Sequence, residues 1–176
     1  VAFWDERLST AAVTRMTRGD TNQIDRTGIA WMPDGRHVVG SYTADPINGP
    51  LESDLYLYDV AGKAAKQRLT SRAGSEYAPE VSPDGLRIAF MGSEASTTFY
   101  DMPRLWTTTP TPEARIAALA ADLGRPVAGI AWRGDSGALH TLYHDRGVQR
   151  IATIDATTGA RTEAVNLVGG TRLYLP

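Results

Sequence analysis

The chain has 176 residues, 42% of them hydrophobic and 22% charged, with a net charge of −2. That composition belongs to an ordinary globular chain, and its well-mixed charges exclude a basic nucleic-acid footprint or a polybasic membrane patch. With no Cys there are no disulfides, Cys-based zinc sites or thiol catalysis, while 17 Gly and 10 Pro spread along the chain signal many turns between short elements.

At the start, Val1-Ala2-Phe3-Trp4-Asp5 leads into Val13-Thr14-Arg15-Met16-Thr17. This pair returns, at almost the same internal spacing, as Leu55-Tyr56-Leu57-Tyr58-Asp59 followed by Lys66-Gln67-Arg68-Leu69-Thr70. A second motif runs out of phase with it. Gly28-Ile29-Ala30-Trp31-Met32-Pro33-Asp34-Gly35 reappears as Ala78-Pro79-Glu80-Val81-Ser82-Pro83-Asp84-Gly85. A degraded third copy is Gly129-Ile130-Ala131-Trp132-Arg133-Gly134-Asp135-Ser136-Gly137, so Asp34, Asp84 and Asp135 recur at about 50 residues.

Local chemistry turns each motif into structure. In Pro-Asp-Gly, Pro presets φ, Asp bonds its own backbone and Gly accepts positive φ, so the tripeptide is a tight turn. It joins a short strand over 29–32 to a longer one over 36–41. The β-formers over 55–60 predict a third strand, and Asp59, Ala61 and Gly62 turn the chain into a fourth over 66–70. Four short antiparallel strands per repeat is the propeller-blade pattern. The expected fold is therefore all-β, a β-propeller fragment of four-stranded blades, incomplete at both ends. The end of one blade is expected at 1–20, blades at 28–70, 78–119 and 128–165, and the start of another at 171–176. Three blades with ragged ends cannot close a ring of typically four to eight, which predicts a piece of a longer chain or one needing partners for its open faces.

The stretch from Pro112 to Gly124 carries two signals. Ile116, Leu119, Ala120 and Leu123 share one helical face, with Pro112 suited to the first turn and Gly124 to the stop. The blade register instead requires a fourth strand over 114–119, and that reading is preferred because repeat context overrides local propensity. Trp31 and Trp132 hold equivalent positions and are read as core residues between blades, Trp106 as a strand residue and Trp4 as an edge residue.

No residue set forms a catalytic, cofactor or metal site. Asp34, Asp84 and Asp135 are turn formers. Gly134-Asp135-Ser136-Gly137 lacks the spacing of a nucleophile elbow, and no phosphate loop is present. His140 and His144 would face one side of a strand with Asp145 beside them, but no further donor completes a zinc site.

Pro79-Glu80-Val81-Ser82-Pro83-Asp84-Gly85 through Phe90 resembles the blade of TolB-like propellers, which also occurs in the propellers of the prolyl oligopeptidase family. Three further stretches resemble the dipeptidyl-peptidase and acylaminoacyl-peptidase-like members of that family. These are Tyr100-Asp101-Met102-Pro103-Arg104-Leu105-Trp106, Gly124-Arg125-Pro126-Val127 and His144-Asp145-Arg146-Gly147. The resemblance implies the non-catalytic propeller of a serine peptidase that gates short peptides. Its partners would be a C-terminal α/β-hydrolase domain of the same protein, which carries the chemistry, and the peptide substrate. It implies no cofactor, and either the bacterial cytoplasm or the periplasm. The alternative is a TolB-like propeller serving as a protein–protein binding module.

Overall fold

The computed structural model describes residues 28–43, 52–95 and 102–167, with side chains described as far as Thr162. The blade remnants expected at 1–20 and 171–176, and Trp4 with them, lie outside the described residues. Twelve strands and one 3-10 turn make up the described elements, so the all-β class holds.

The strands form three four-stranded antiparallel sheets, each in simple meander order. Blade 1 comprises β1 (Ile29–Trp31), β2 (His37–Tyr42), β3 (Asp54–Asp59) and β4 (Gln67–Arg68). Blade 2 comprises β5 (Gly74–Val81), β6 (Ile88–Glu94), β7 (Arg104–Thr108) and β8 (Ala117–Leu119). Blade 3 comprises β9 (Val127–Trp132), β10 (Ala138–Asp145), β11 (Val148–Asp155) and β12 (Arg161–Leu167).

The segment with the helical pattern forms β8 and then a 3-10 turn over Ala121–Leu123. Ala120 and Gly124, on either side of that turn, both have left-handed backbone, which confines the helix to one turn. Pairing of Leu105 with Leu119 and of Thr107 with Ala117 supplies β8 with the sheet bonds an isolated helix would have to replace. Both Leu119 and Leu123 still reach the core, because a strand end followed by a tight turn keeps both side chains on the buried side.

Successive side chains of a strand point to opposite faces, and a middle blade has a neighbour on each face. On β6, Ile88 and Phe90 join Val39, Leu55 and Leu69 in a cluster between blades 1 and 2. Between them in sequence, Ala89 joins Leu105, Ile130, Leu139 and Ile154 in a second cluster between blades 2 and 3. Both β6 faces are thus apolar, which is why 88–91 reads as a continuous hydrophobic run rather than an alternating one.

Polar groups complete each joint. At the joint of blades 1 and 2, Glu76 is fully buried. Its backbone N–H donates to the Ser53 carbonyl at 3.0 Å, and its carbonyl accepts from Ser41 Oγ at 2.7 Å and Ser53 Oγ at 3.0 Å. The Leu55 N–H donates to Thr70 Oγ1 at 2.8 Å, and Thr70 Oγ1 in turn donates to Glu76 Oε2. Arg72 Nε lies 3.3 Å from Glu76 Oε1 without hydrogen-bond alignment. The guanidinium also stacks on Trp106, 4.1 Å from the ring centre. Burial, partly offset by the Thr70 hydrogen bond, raises the Glu76 carboxyl to a pKa of about 7.

At the joint of blades 2 and 3, Arg87 donates to the Ala156 carbonyl at 2.9 Å and to the Ser136 carbonyl at 2.7 Å. Trp132 donates from Nε1 to the Glu80 carbonyl at 2.9 Å, so this Trp does lie between blades. Its repeat mate Trp31 is 47% exposed and is not a core residue.

Candidate functional site: a cationic cleft between blades 2 and 3

The turn carboxylates are occupied by their own turns. Asp34 Oδ1 accepts the N–H groups of Arg36 and His37 at 2.8 and 3.0 Å, while Oδ2 lies 2.6 Å from His37 Nδ1. Asp84 Oδ1 accepts from the Leu86 N–H and from Ser82 Oγ. Asp135 Oδ1 accepts the Gly137 N–H at 2.9 Å and Arg133 Nε at 2.8 Å. Bonds from His37 and Arg133, each with neighbouring backbone donors, hold the Asp34 and Asp135 carboxyls down at about 2.

In the degraded third turn, Ser136 stands where Gly35 and Gly85 stand and takes the same left-handed φ, +59° against +65° and +73°. Its Oγ accepts the Asp84 N–H at 3.1 Å, tying one blade's turn to the next. The departure from Pro-Asp-Gly therefore carries a contact between blades. His140 Nδ1 lies 3.3 Å from Thr153 Oγ1, and His144 is exposed. Among the described residues no group of three or more His, Asp or Glu is placed to hold a metal ion.

At the opposite end of blade 3 from the Asp135 turn, charge collects. The antiparallel pairing of β10 with β11 makes Asp145 and Val148 the last pair, closed by Arg146 and Gly147. Both of these have positive φ, +49° and +79°, the pair of left-handed residues that a two-residue hairpin needs. Arg125 sits just before β9 and so arrives at the same end. Its Nε donates to Asp145 Oδ1 at 3.0 Å. From the next strand, Arg150 Nη2 lies 3.4 Å from Asp145 Oδ2. One guanidinium on each oxygen holds this carboxylate. The Arg125 hydrogen bond, opposed by desolvation and helped by the charges of Arg150, Arg125 and Arg146, keeps the Asp145 carboxyl below the ordinary range.

Around this pair lies a cleft of about 490 Å³ bordered by the 3-10 turn of blade 2 and by β10, β11 and β12. Its charged lining is Arg125, Arg146, Arg150 and Arg161 against the single carboxylate of Asp145, with Tyr143 contributing to the wall. Arg161 reaches Asp122 at 3.7 Å. Arg146 makes no hydrogen bond or ion pair with any described residue, and Arg150 Nε is buried without a hydrogen-bond partner. The sequence reading named Arg125 and Arg146 as parts of two family-like stretches, weighed Asp145 also beside His140 and His144, and did not single out Arg150 or Arg161 as site residues. The repeat itself held a signal. Arg72, on the preceding crossover, meets Glu94 at the end of β6 at 3.1 Å, as Arg125 meets Asp145 at the end of β10.

Three blades of this order and pairing define a segment of β-propeller, and the fold is similar to that of TolB propellers. A curated TolB homologue from Chlorobium chlorochromatii (strain CaD3) is 35% identical over 82 residues, which is 47% of this chain and 18% of that protein. The solved structure of a putative TolB from Agrobacterium tumefaciens superposes with a TM-score of 0.59 at 18% identity, over 78% of this chain and 47% of that one. TolB from Acinetobacter baumannii gives 0.56 at 17% identity, over 77% and 31%. The propeller domain of Cps50 (Swd1) from Myceliophteria thermophila gives 0.57 at 19% identity, over 89% and 46%. The chain thus spans less than half the length of each of these relatives. No protein-family model matches it.

Proposed function

We propose that this chain is a segment of a TolB-like propeller that serves as a protein-binding module, with no reaction performed by its own residues. The observation that carries this reading is how the turn chemistry is used. Asp34, Asp84 and Asp135 all bond their own turns, and Ser136 bonds the neighbouring blade. The end formed by the β10–β11 hairpin instead presents uncompensated charge beside exposed Val148. Rigid blades with an adorned rim suit recognition of another macromolecule. A photo-crosslinking residue at position 148 is expected to yield a discrete protein adduct in cells. An even smear, equal to that from a control at exposed Leu86, would overturn the reading.

The second reading is a peptidase propeller that gates short peptides toward a C-terminal α/β-hydrolase domain. Its support is that the stretches around Arg125 and Asp145, which resemble that family, meet in one ion pair. Chemistry would then belong to a Ser, Asp and His set on that other domain. The protein carrying this segment would be labelled by a serine-directed fluorophosphonate, with Gly-x-Ser-x-Gly encoded downstream of Pro176. Absence of both would remove the peptidase reading and leave the binding module.

A further inference from the structure

We propose that the cleft between blades 2 and 3 is a binding site for carboxylate ligands, with Arg146 and Arg161 as its principal contacts. The inference rests on the cleft alone and stands or falls separately from the protein-binding reading.

Four guanidiniums converge on a space of about 490 Å³ with one carboxylate among them. Like charges held together repel, and an anion that enters relieves that repulsion while gaining charge-assisted hydrogen bonds. The donors are available. Asp145 engages Arg125 through Nε and Arg150 through Nη2, which leaves each guanidinium with further N–H groups. Among the described residues Arg161 has a 3.7 Å contact with Asp122, and Arg146 makes no hydrogen bond or close ion pair, although its charge acts on Asp145.

Arg146 is also placed at some conformational expense. It occupies a left-handed position in the hairpin, where a branched or bulky side chain is disfavoured and Gly or Asn is the usual choice. A long cation at such a position, near Asp145 but bonded to no described residue, is free to turn to a ligand, and turn geometry alone does not call for it.

The cleft already shows the kind of anion it accommodates. Asp145 lies with one guanidinium nitrogen on each oxygen, at 3.0 and 3.4 Å, so both oxygens of a carboxylate are met by cations here. Four guanidiniums against Asp145 and the Asp122 that meets Arg161 leave an excess of two, so the ligand carries two or more carboxylates. Such a ligand is either a free polycarboxylate or an acidic stretch of polypeptide.

Fluorescein-labelled hexaglutamate, titrated with the whole chain and followed by anisotropy, tests the proposal. Binding is expected at low salt and should weaken steeply as NaCl is raised. Arg146→Asn suits the left-handed turn and breaks no described hydrogen bond or close ion pair, so it should fold normally by circular dichroism. It and Arg161→Gln should each weaken binding about fivefold to tenfold, with Arg146→Lys retaining most of the affinity. Citrate and inorganic phosphate serve as competitors. Citrate that matches the peptide mole for mole marks free polycarboxylates as the ligand, and a much tighter peptide marks an acidic chain segment. The proposal is overturned if the peptide does not bind, if both Arg variants bind like the unmodified chain, or if phosphate competes and citrate does not.

Discussion

Replacing Glu76 by Gln should flatten the pH dependence of stability. The buried carboxyl has a pKa of about 7 in the folded protein against an ordinary value of 4.5. A raised carboxyl pKa means the native state holds its proton more tightly than the unfolded chain. Stability from this group is therefore full below pH 4.5 and falls as pH rises, until it levels off above 7. The slope within that window is about 1.4 kcal/mol per pH unit, so the loss between pH 5 and 8 comes to about 3 kcal/mol. Urea unfolding of the unmodified chain and of Glu76→Gln, at half-unit steps across that range, isolates this group from every other titrating residue. Gln keeps an acceptor for the Thr70 hydroxyl, and Arg72 keeps Glu94 and the Ser93 carbonyl. The variant should thus gain on the unmodified chain steadily from pH 5 to 7. A stability difference that stays constant over the range would refute the assignment of a protonated, desolvated Glu76 at this joint.

Three other substitutions probe the joints. Gly74→Ala places a Cβ 2.1 Å from the Ser93 carbonyl oxygen at a φ of +116°, and should cost roughly 2–4 kcal/mol by chemical denaturation. Ser136→Ala removes the acceptor for the Asp84 N–H while keeping a side chain at positive φ. A loss of about 1 kcal/mol is expected, and no change would show that water takes over that N–H. Arg87→Lys replaces a fork that reaches two carbonyls of blade 3 with a single point of charge, and should cost about 1–2 kcal/mol. Its thermal melt should return to that of the unmodified chain only when Arg is restored.

Much of the blade was legible because its signals are local. Pro33-Asp34-Gly35 and Pro83-Asp84-Gly85 specify their turns within three residues, and β3 announces itself through Leu55-Tyr56-Leu57-Tyr58. The strand β8 was harder, since 116–123 satisfies a helical period as well as a strand. Its pairing with β7 decided the matter, and the left-handed residues Ala120 and Gly124 closed off the helix. Trp31 and Trp132 show the limit of repeat logic. Equivalent positions share a backbone but not a degree of burial: Trp31 is 47% exposed, while Trp132 bonds the Glu80 carbonyl of blade 2.

The candidate site lay beyond local reading. Arg125 and Asp145 are 20 residues apart, and Arg161 comes from another strand again. Nothing in turn chemistry brings such residues together; the stacking of one blade on the next does. By itself the sequence determined the period, the turns and the class of fold, because these follow from backbone preferences repeated at fixed spacing. The tertiary structure decided which charges are compensated and which carboxyl is buried, because solvation and ion pairing depend on neighbours that the chain reaches only after it folds.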